Sequence, residues 1–548
     1  MTRPPARPGY TLLAVLVVVV VLALAAYRFT DAMTSEYIAA FRASEAAQAK
    51  TFAVSGVYYA AGMLADRDTF ANTLGGNPFD NPDVFANVAL GDQTGGRQGG
   101  RFSLVAVADT FTGSGESRYL TQYGVTDEAG KLNVNVLIQQ DPTGQVLHDC
   151  LMKLPNMTEE IADAIVDWVD ADDTPRANGA ESSYYSGMTP AYLPRNGPLA
   201  TLDELLLVRG VTPGLLYGTD RNRNGRLDPA EADGGDFSRG WADLLTIYGR
   251  EVDADMNGVA RIKVNDTAAD LKAMSDQLTA VLGQEMSDYL LAARLYGTSS
   301  VGGGSSRTTT TRTTTTTTVT SDGGRATQVR VSGGTTTSSS GGASTVPGTA
   351  ADLRAAVQAS LDSGARMRGR LASLLALYNT QVTLPNPPNS PPNTPARVVQ
   401  SPLNDVNRLK ELLPKLLDSV TTRTNFEMLP RVNVNTAPPE VMAAVPGLTQ
   451  ENIDAIMAAR ANLAADDPAT TTGAWLVTQA NVPPLVFQAL ESFITGRTMT
   501  YRVLSVGYFG RGGPTARVEA VIDTNQGHPR ILYFRDVTDL GRGFDLPR

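Results

Sequence analysis

The chain has 548 residues, 19% of them charged, and a formal net charge of −10. That acidity argues against a general electrostatic grip on nucleic acid, which needs lysine and arginine to neutralise phosphates. The single cysteine, Cys150, permits no intramolecular disulfide and gives no vote on redox compartment.

At the start, a short basic leader with Arg3 and Arg7 ends at Gly9, and an unbroken apolar stretch from Val15 to Ala26 follows. In an ordinary secretory signal the apolar region lies before the cleavage site and is removed. Here a cut between Gly9 and Tyr10 would leave it on the mature protein. Leu12 to Tyr27 is slightly short for a membrane span, which needs roughly 17–25 apolar residues. Met33, Tyr37 and Phe41 continue at helical spacing, and no proline intervenes before Asp66. One long helix is expected, its outer half packed on a globular domain. Two arginines and no acid in the leader favour a cytoplasmic N-terminus, with the rest beyond the membrane.

This leader resembles that of type IV pilins and type II secretion pseudopilins, whose prepilin peptidase cuts after a glycine in a Gly-(Phe/Tyr)-Thr-Leu setting. Most such subunits carry glutamate at the fifth mature position. Counted from Tyr10, that position is Ala14. A buried carboxylate in a membrane helix needs a partner. The resemblance implies that a subunit without it needs no neighbour ahead of it, as at a filament tip.

Further along, Phe102, Leu104, Ala106 and Ala108 alternate with their neighbours as in a partly buried strand, and Tyr119 to Val125 reads as its return. Three segments then echo one another: Lys131-Leu-Asn-Val-Asn135, Arg261-Ile-Lys-Val-Asn265 and Arg431-Val-Asn-Val-Asn435. Each has a basic residue, alternating apolar and polar positions, a closing asparagine and a helical segment after it. Helical hairpins are expected around Leu154–Trp168, Leu271–Ala293 and Glu440–Met457. They resemble the helix-hairpin-helix unit. The Gly-x-Gly that lets a DNA phosphate approach is missing at Gly447-Leu448-Thr449 and at Asn156-Met157-Thr158. A structural role is the better reading. Tyr501–Val506, Arg517–Asp523 and Arg530–Phe534 read as strands at the C-terminal end. Thr298 to Gly348 is a Thr/Ser/Gly tract too poor in apolar residues to offset the entropy of ordering, and Pro385 to Pro395 is rich in Pro and Asn. Globular material is therefore expected at about 29–297 and 349–548.

The succession Thr126–Asn135, Asp167-Trp-Val-Asp-Ala-Asp-Asp-Thr-Pro175, Glu181–Tyr185 and Pro198–Gly210 is similar, in the same order, to the minor pseudopilin K family of type II secretion (general secretion pathway) systems. The resemblance runs through 9–300 and resumes at 403–548; residues 349–400 are not part of the usual pattern. It implies a non-enzymatic tip subunit that initiates or caps a pseudopilus in protein export. Implied partners are the prepilin peptidase, minor pseudopilins resembling subunits I and J, the inner-membrane secretion machinery and the membrane itself. The implied location is the inner membrane, single pass, with the bulk periplasmic. The alternative is a DNA-binding, uptake or adhesion protein of a type IV pilus-like system.

Two stretches could hold calcium. Asp220, Asn222, Asn224, Asp228 and Glu231 occupy positions 1, 3, 5, 9 and 12 of an EF-hand-like loop, with Gly225 at position 6. Arg226 at position 7 would offer its backbone carbonyl. Asp170, Asp172, Asp173 and Glu181 form a weaker cluster, in which like charges repel unless solvated or bridged. The family is known to bind calcium in its helical domain, which supports this second site. A solvated acidic loop remains the alternative reading. His148 and Cys150 are close in sequence, but a lone pair does not make a nucleophile, and there is no Walker loop and no Gly-x-Ser-x-Gly.

The expected class is α+β: an N-terminal transmembrane, pilin-like long helix on an antiparallel sheet, with a large inserted α-helical domain of helix-hairpin-helix-like (SAM-like) repeats. The expected segments are a leader at 1–9, the long helix at 10–66, a β region at 67–135 and the inserted domain with its calcium loop at 136–297. After the tract at 298–348 come a helical segment at 349–384, a Pro-rich linker at 385–400, a hairpin repeat at 401–495 and a C-terminal β region at 496–548.

Overall fold

Helix α1 runs unbroken from Gly9 to Ala65. At 1.5 Å per residue its 57 residues reach about 85 Å. Residues 10–44 are exposed, and this helix alone among the described residues is long and apolar enough to cross a membrane. Burial begins at Ala49 and recurs at Ala53, Val57, Ala60 and Leu64, which share one helix face. These observations come from a computed structural model that describes residues 9–91, 99–111, 117–224, 231, 239–267, 269–301, 345–387, 390–391, 394–463, 468–510, 513–525, 528–541 and 543–544. Residues 1–8 of the expected leader lie outside them.

The buried face of α1 rests on a seven-stranded sheet. Its strands are β1 (Val88–Leu90), β2 (Gly100–Phe111), β3 (Ser117–Gln122), β4 (Thr126–Asp127), β5 (Thr500–Phe509), β6 (Ala516–Asp523) and β7 (Arg530–Asp536). The order is β1-β2-β5-β6-β7, with β3 paired to β2 and β4 to β5. Every pair is antiparallel. Phe102, Leu104, Val503, Val518, Ala520 and Ile522 meet the α1 face in one core. Ser103 and Val105 on the other face of β2 are buried too, so the strand expected to be partly buried is covered on both sides. The small residues of α1 allow a close approach: a Cβ on Gly507 would lie 2.1 Å from the Ala49 carbonyl oxygen. The α+β class expected from sequence is the one observed.

The chain forms two units. One comprises Met1–Glu251, Thr436–Ala444 and Thr498–Arg548; the other comprises Val252–Asn435 and Val445–Arg497. In the second unit, strands Thr345–Pro347, Ala396–Gln400, Thr380–Leu384 and Ser299–Ser300 form a four-stranded sheet in that order. The Thr/Ser/Gly tract therefore does not separate two globular regions, because strands from its two ends are the opposite edges of one sheet. The Pro-rich stretch likewise joins two paired strands, with Gln381 opposite Gln400.

The three sequence echoes have one structural job. Each supplies a two-residue strand that pairs in parallel with a distant apolar-threonine pair: Leu132-Asn133 with Leu245-Thr246, Ile262-Lys263 with Val420-Thr421, and Val432-Asn433 with Ile494-Thr495. The leading basic residue donates to a carbonyl just before that partner: Lys131 to Ala242 (3.2 Å), Arg261 to Asp418 (2.8 Å) and Arg431 to Glu491 (3.1 Å). Cations suit the carbonyl-rich ends of helical segments. The closing asparagine clamps backbone elsewhere. Asn135 accepts from and donates to Leu199, Asn265 does the same with Leu371, and Asn435 donates to Thr470 and Gly496.

Candidate functional site

The acidic cluster is built at the end of a fully packed helix. Thr158 caps Glu159–Val169, and every residue from Ile161 to Val169 is buried. Trp168 anchors the far end, its ring edge-on to Tyr185 at 5.1 Å. The helix stops at Asp170, and the chain turns through 170–173. Arg176 then pins the return, its Nε 2.9 Å from Asp163 Oδ1, and brings Glu181 back to the helix end.

This return sets oxygens of Asp170, Asp172 and Glu181 within 4.8 Å of one another. Oxygens on opposite sides of a Ca²⁺ ion, at about 2.3–2.6 Å each, are spaced about this far apart. Glu181 is 2% exposed, and neither of its carboxylate oxygens has a hydrogen-bond partner; the same holds for Asp170 Oδ1. A buried carboxylate left so is costly, and a cation would satisfy it. The donor set, all carboxylate oxygen, suits a hard cation. Asp173 is also held by Ser182: its Oδ1 accepts the Ser182 backbone N–H at 3.2 Å, and hydrogen bonds from the Ser182 side chain and backbone lower its pKa.

Electrostatics single out the same group. Burial first, then the charges of Asp167, Asp170 and Asp173, push the Glu181 carboxyl up to about 8. Burial and the nearby Asp172 raise Asp170 to about 6. Sequence reading missed Asp167, which is fully buried and raised to about 6, mainly by burial. The chain packs tightly on it at Gly179, where a Cβ would lie 1.8 Å from Asp167 Oδ2, a contact visible only in the fold.

In the EF-hand-like loop, the described residues fold back on themselves. The Asn224 N–H donates to Asp220 Oδ1 at 3.0 Å, and the Asn222 N–H donates to Glu231 Oε1 at 3.0 Å. Positions 1 and 12 are thus tied to the same short turn, and Asn224 and Glu231 are buried. Arg226 and Asp228 lie outside the described residues. A further residue that the sequence did not flag holds this turn. Arg517 in β6 is 1% exposed and donates to the carbonyls of Asn222 (2.9 Å) and Arg223 (3.2 Å). Burial pulls its pKa down to about 10, against the charges of Asp220 and Glu519.

His148 and Cys150 sit in helix Gln145–Leu151, both buried. Burial, then the Asp149 charge, push the Cys150 thiol up to about 12, which is wrong for a thiolate nucleophile. Gly9 and Tyr10, the expected leader junction, stand at the first turn of α1, and Ala14 is exposed on it.

Residues 130–217, which contain the acidic cluster, match the family described as Type II secretion system (T2SS), protein K. Curated relatives agree. The Type II secretion system protein K of Klebsiella pneumoniae is 28% identical over 218 residues, 38% of this chain and 59% of that protein. That of Aeromonas hydrophila is 46% identical over 57 residues, 10% and 17% of the two chains. The putative protein K of Escherichia coli K12 is 40% identical over 58 residues, 11% and 18%. The chain thus spans under two thirds of each of these relatives. A crystal structure of the GspK-GspI-GspJ complex from enterotoxigenic Escherichia coli covers 92% of this chain and 98% of its own at 11% identity, but its TM-score of 0.30 is too low to argue from. Over these matched stretches the chain is similar to protein K of type II secretion systems.

Proposed function

We propose that this relative of protein K is a non-enzymatic minor pseudopilin at the tip of a type II secretion pseudopilus, where it initiates or caps the filament. The observation that carries the reading is α1. Its first 35 residues from Tyr10 are exposed and mostly apolar, and the helix enters the sheet core only at Ala49. Such a surface needs either lipid or the helices of other subunits. Ala14 puts no carboxylate on it, so the subunit offers nothing to hold the amine of a subunit above. Its own amine, freed by a prepilin peptidase cut between Gly9 and Tyr10, can still meet a glutamate below. The partners are then pseudopilins resembling subunits I and J and the inner-membrane machinery, with the bulk of the chain periplasmic.

In this reading calcium is a structural cofactor. Asp170, Asp172 and Glu181 would hold one ion, and the Asp220–Glu231 loop a second. The ion would neutralise the crowded carboxylates and fix the turn at 170–181; no chemical step is asked of it.

Three measurements test the assembly. N-terminal sequencing of membrane-extracted protein should begin at Tyr10. End-labelling of filaments should place the chain at one end only, and Ala14→Glu, which buries an unpaired carboxylate, should impair secretion. Uniform labelling along the filament, or full secretion with Ala14→Glu, would sink the tip assignment.

A further inference from the structure

The second unit carries a feature that acidity and family do not explain. Between helix Ala350–Asp362 and the short helix Leu374–Leu377, the chain runs Gly364-Ala-Arg-Met-Arg-Gly-Arg370 without regular structure. Exposure alternates along it: Arg366, Arg368 and Arg370 face solvent, while Ala365, Met367 and Gly369 are half-buried. Successive arginine Cα atoms can be no more than about 7 Å apart.

The segment is held, not loose. The N–H groups of Arg368 and Gly369 both donate to the Arg294 carbonyl, at 3.0 and 3.2 Å. At its end, Asn265 clamps Leu371 through both its N–H (3.0 Å) and its carbonyl (2.8 Å). The three guanidiniums make no hydrogen bond or ion pair with any described residue. Beneath them Arg294 is 1% exposed, with its Nη2 unpartnered, and burial and the charge of Arg370 both lower its pKa. Arg370 and Arg423 then open onto a cleft of about 430 Å³ that also presents Gln488, Ser492 and Asn265. The acid in its wall, Glu491, accepts the Ser373 hydroxyl.

We propose that this arginine row and its cleft form a docking site for an extended acidic polypeptide segment of a partner protein, with carboxylates on alternate residues. A carboxylate ladder of that kind repeats at about 6.6–6.8 Å, matching the outward arginines. Guanidinium pairs carboxylates in bidentate geometry. A peptide also offers backbone groups to Gln488 and Ser492. A nucleic-acid strand fits less well: the cleft holds no aromatic ring on which a base could stack, and it carries Glu491 in a chain of net charge −10. The site shares no residue with the calcium cluster or with α1, so it stands or falls independently of the pseudopilin reading.

The test is fluorescence anisotropy with the full chain in non-ionic detergent. The probe is a short labelled peptide of alternating glutamate and serine; the controls are its glutamine-serine counterpart and a labelled oligothymidylate. The glutamate peptide should bind saturably, the glutamine peptide should not, and binding should weaken as salt rises. Replacing Arg366, Arg368 and Arg370 together by glutamine should weaken it about tenfold, the worth of three exposed ion pairs. Replacing all three by lysine keeps the charge but not the bidentate pairing and should preserve only part of it. A melting curve checks that the glutamine variant is folded. If it is not, Arg368→Gln alone should still lower affinity measurably. Equal binding of the two peptides, unchanged affinity in the folded glutamine variant, or tighter binding of the oligothymidylate overturns the proposal.

Discussion

Glu128 offers a sharp test of how the first unit is held together. It is fully buried, in the turn between β4 and the first echo strand. Lys131 Nζ lies 3.1 Å from Oε1, Arg502 Nε donates to the same oxygen, and the Thr246 hydroxyl donates to Oε2. Arg502 also reaches Glu519 across the β5–β6 pair. Burial alone would raise the Glu128 pKa, but Arg502 and Lys131 outweigh it and hold the carboxyl at about 2, against an ordinary 4.5. The folded-state value is depressed, so the stability it contributes is present above pH 4.5 and is lost as pH falls through about 2. Two and a half units at 1.36 kcal/mol each give about 3.4 kcal/mol at neutral pH and about 1.4 kcal/mol at pH 3. Glu128→Gln strands Lys131 and part of the Arg502 charge, and it should cost about 3 kcal/mol at pH 7. Against wild type, that deficit should shrink by about 2 kcal/mol at pH 3. Urea unfolding of the detergent-solubilised chain, followed by fluorescence of the buried Trp168 and Trp241, measures both numbers. A deficit below about 1 kcal/mol at pH 7, or one that does not change with pH, would refute the reasoning.

The other expectations concern the carboxylate cluster, the loop and the repeated asparagine. Glu181 has a raised pKa, so in metal-free protein its contribution to stability is most favourable below pH 4.5 and is lost as pH rises through about 8. Calcium should remove that slope and raise the melting temperature, and Asp170→Ala with Glu181→Gln should abolish the part due to this cluster; differential scanning calorimetry with and without chelator reads it. Asp220→Ala with Glu231→Ala should remove whatever calcium-dependent stabilisation the first pair of changes leaves, and a full shift surviving all four substitutions would dismiss both sites. Asn435→Ala should cost about 3 kcal/mol in urea unfolding. It strips partners from the Thr470 and Gly496 carbonyls and from the Trp475 indole N–H, which donates to Asn435 Oδ1 at 2.8 Å. A loss under 1 kcal/mol, on the order of an exposed hydrogen bond, would mean water replaces the clamp.

Much of the frame was legible because it is periodic. The helix stripe at 49–64 states which face is buried, and the apolar runs of β2, β5 and β6 mark strands, though these are covered on both faces. The three echoes were legible as repeats, but their partners were not. A two-residue strand such as Val420-Thr421 has no period, and nothing in the sequence ties it to Ile262-Lys263. The same limit hid the Glu128–Arg502 pair, whose members are 374 residues apart. Four carboxylates in the 170–181 stretch could be named from composition. That Asp173 turns to Ser182 while the buried Asp167 presses on Glu181 depends on how the chain returns after Asp170. Arg517 read as an ordinary strand residue, since its contact with the Asn222–Arg223 turn is made across the fold.

The sheet under α1 is assembled from both ends of the chain: Val105 of β2 lies opposite Leu504 of β5. Ribosomes deliver the N-terminal end first. For most of synthesis α1 and β2 therefore exist without β5, β6 and β7, and the face from Ala49 to Leu64 has only the N-terminal part of its core, such as Phe85, Phe102 and Leu104, to cover it. The sequence between them must emerge and begin folding while that half-sheet waits. Pairing at such separation is slow to form, and an open strand edge invites the wrong neighbour. The last fifty or so residues thus act as a late latch, and a chain truncated before Thr500 would leave α1 joined to an unfinished domain.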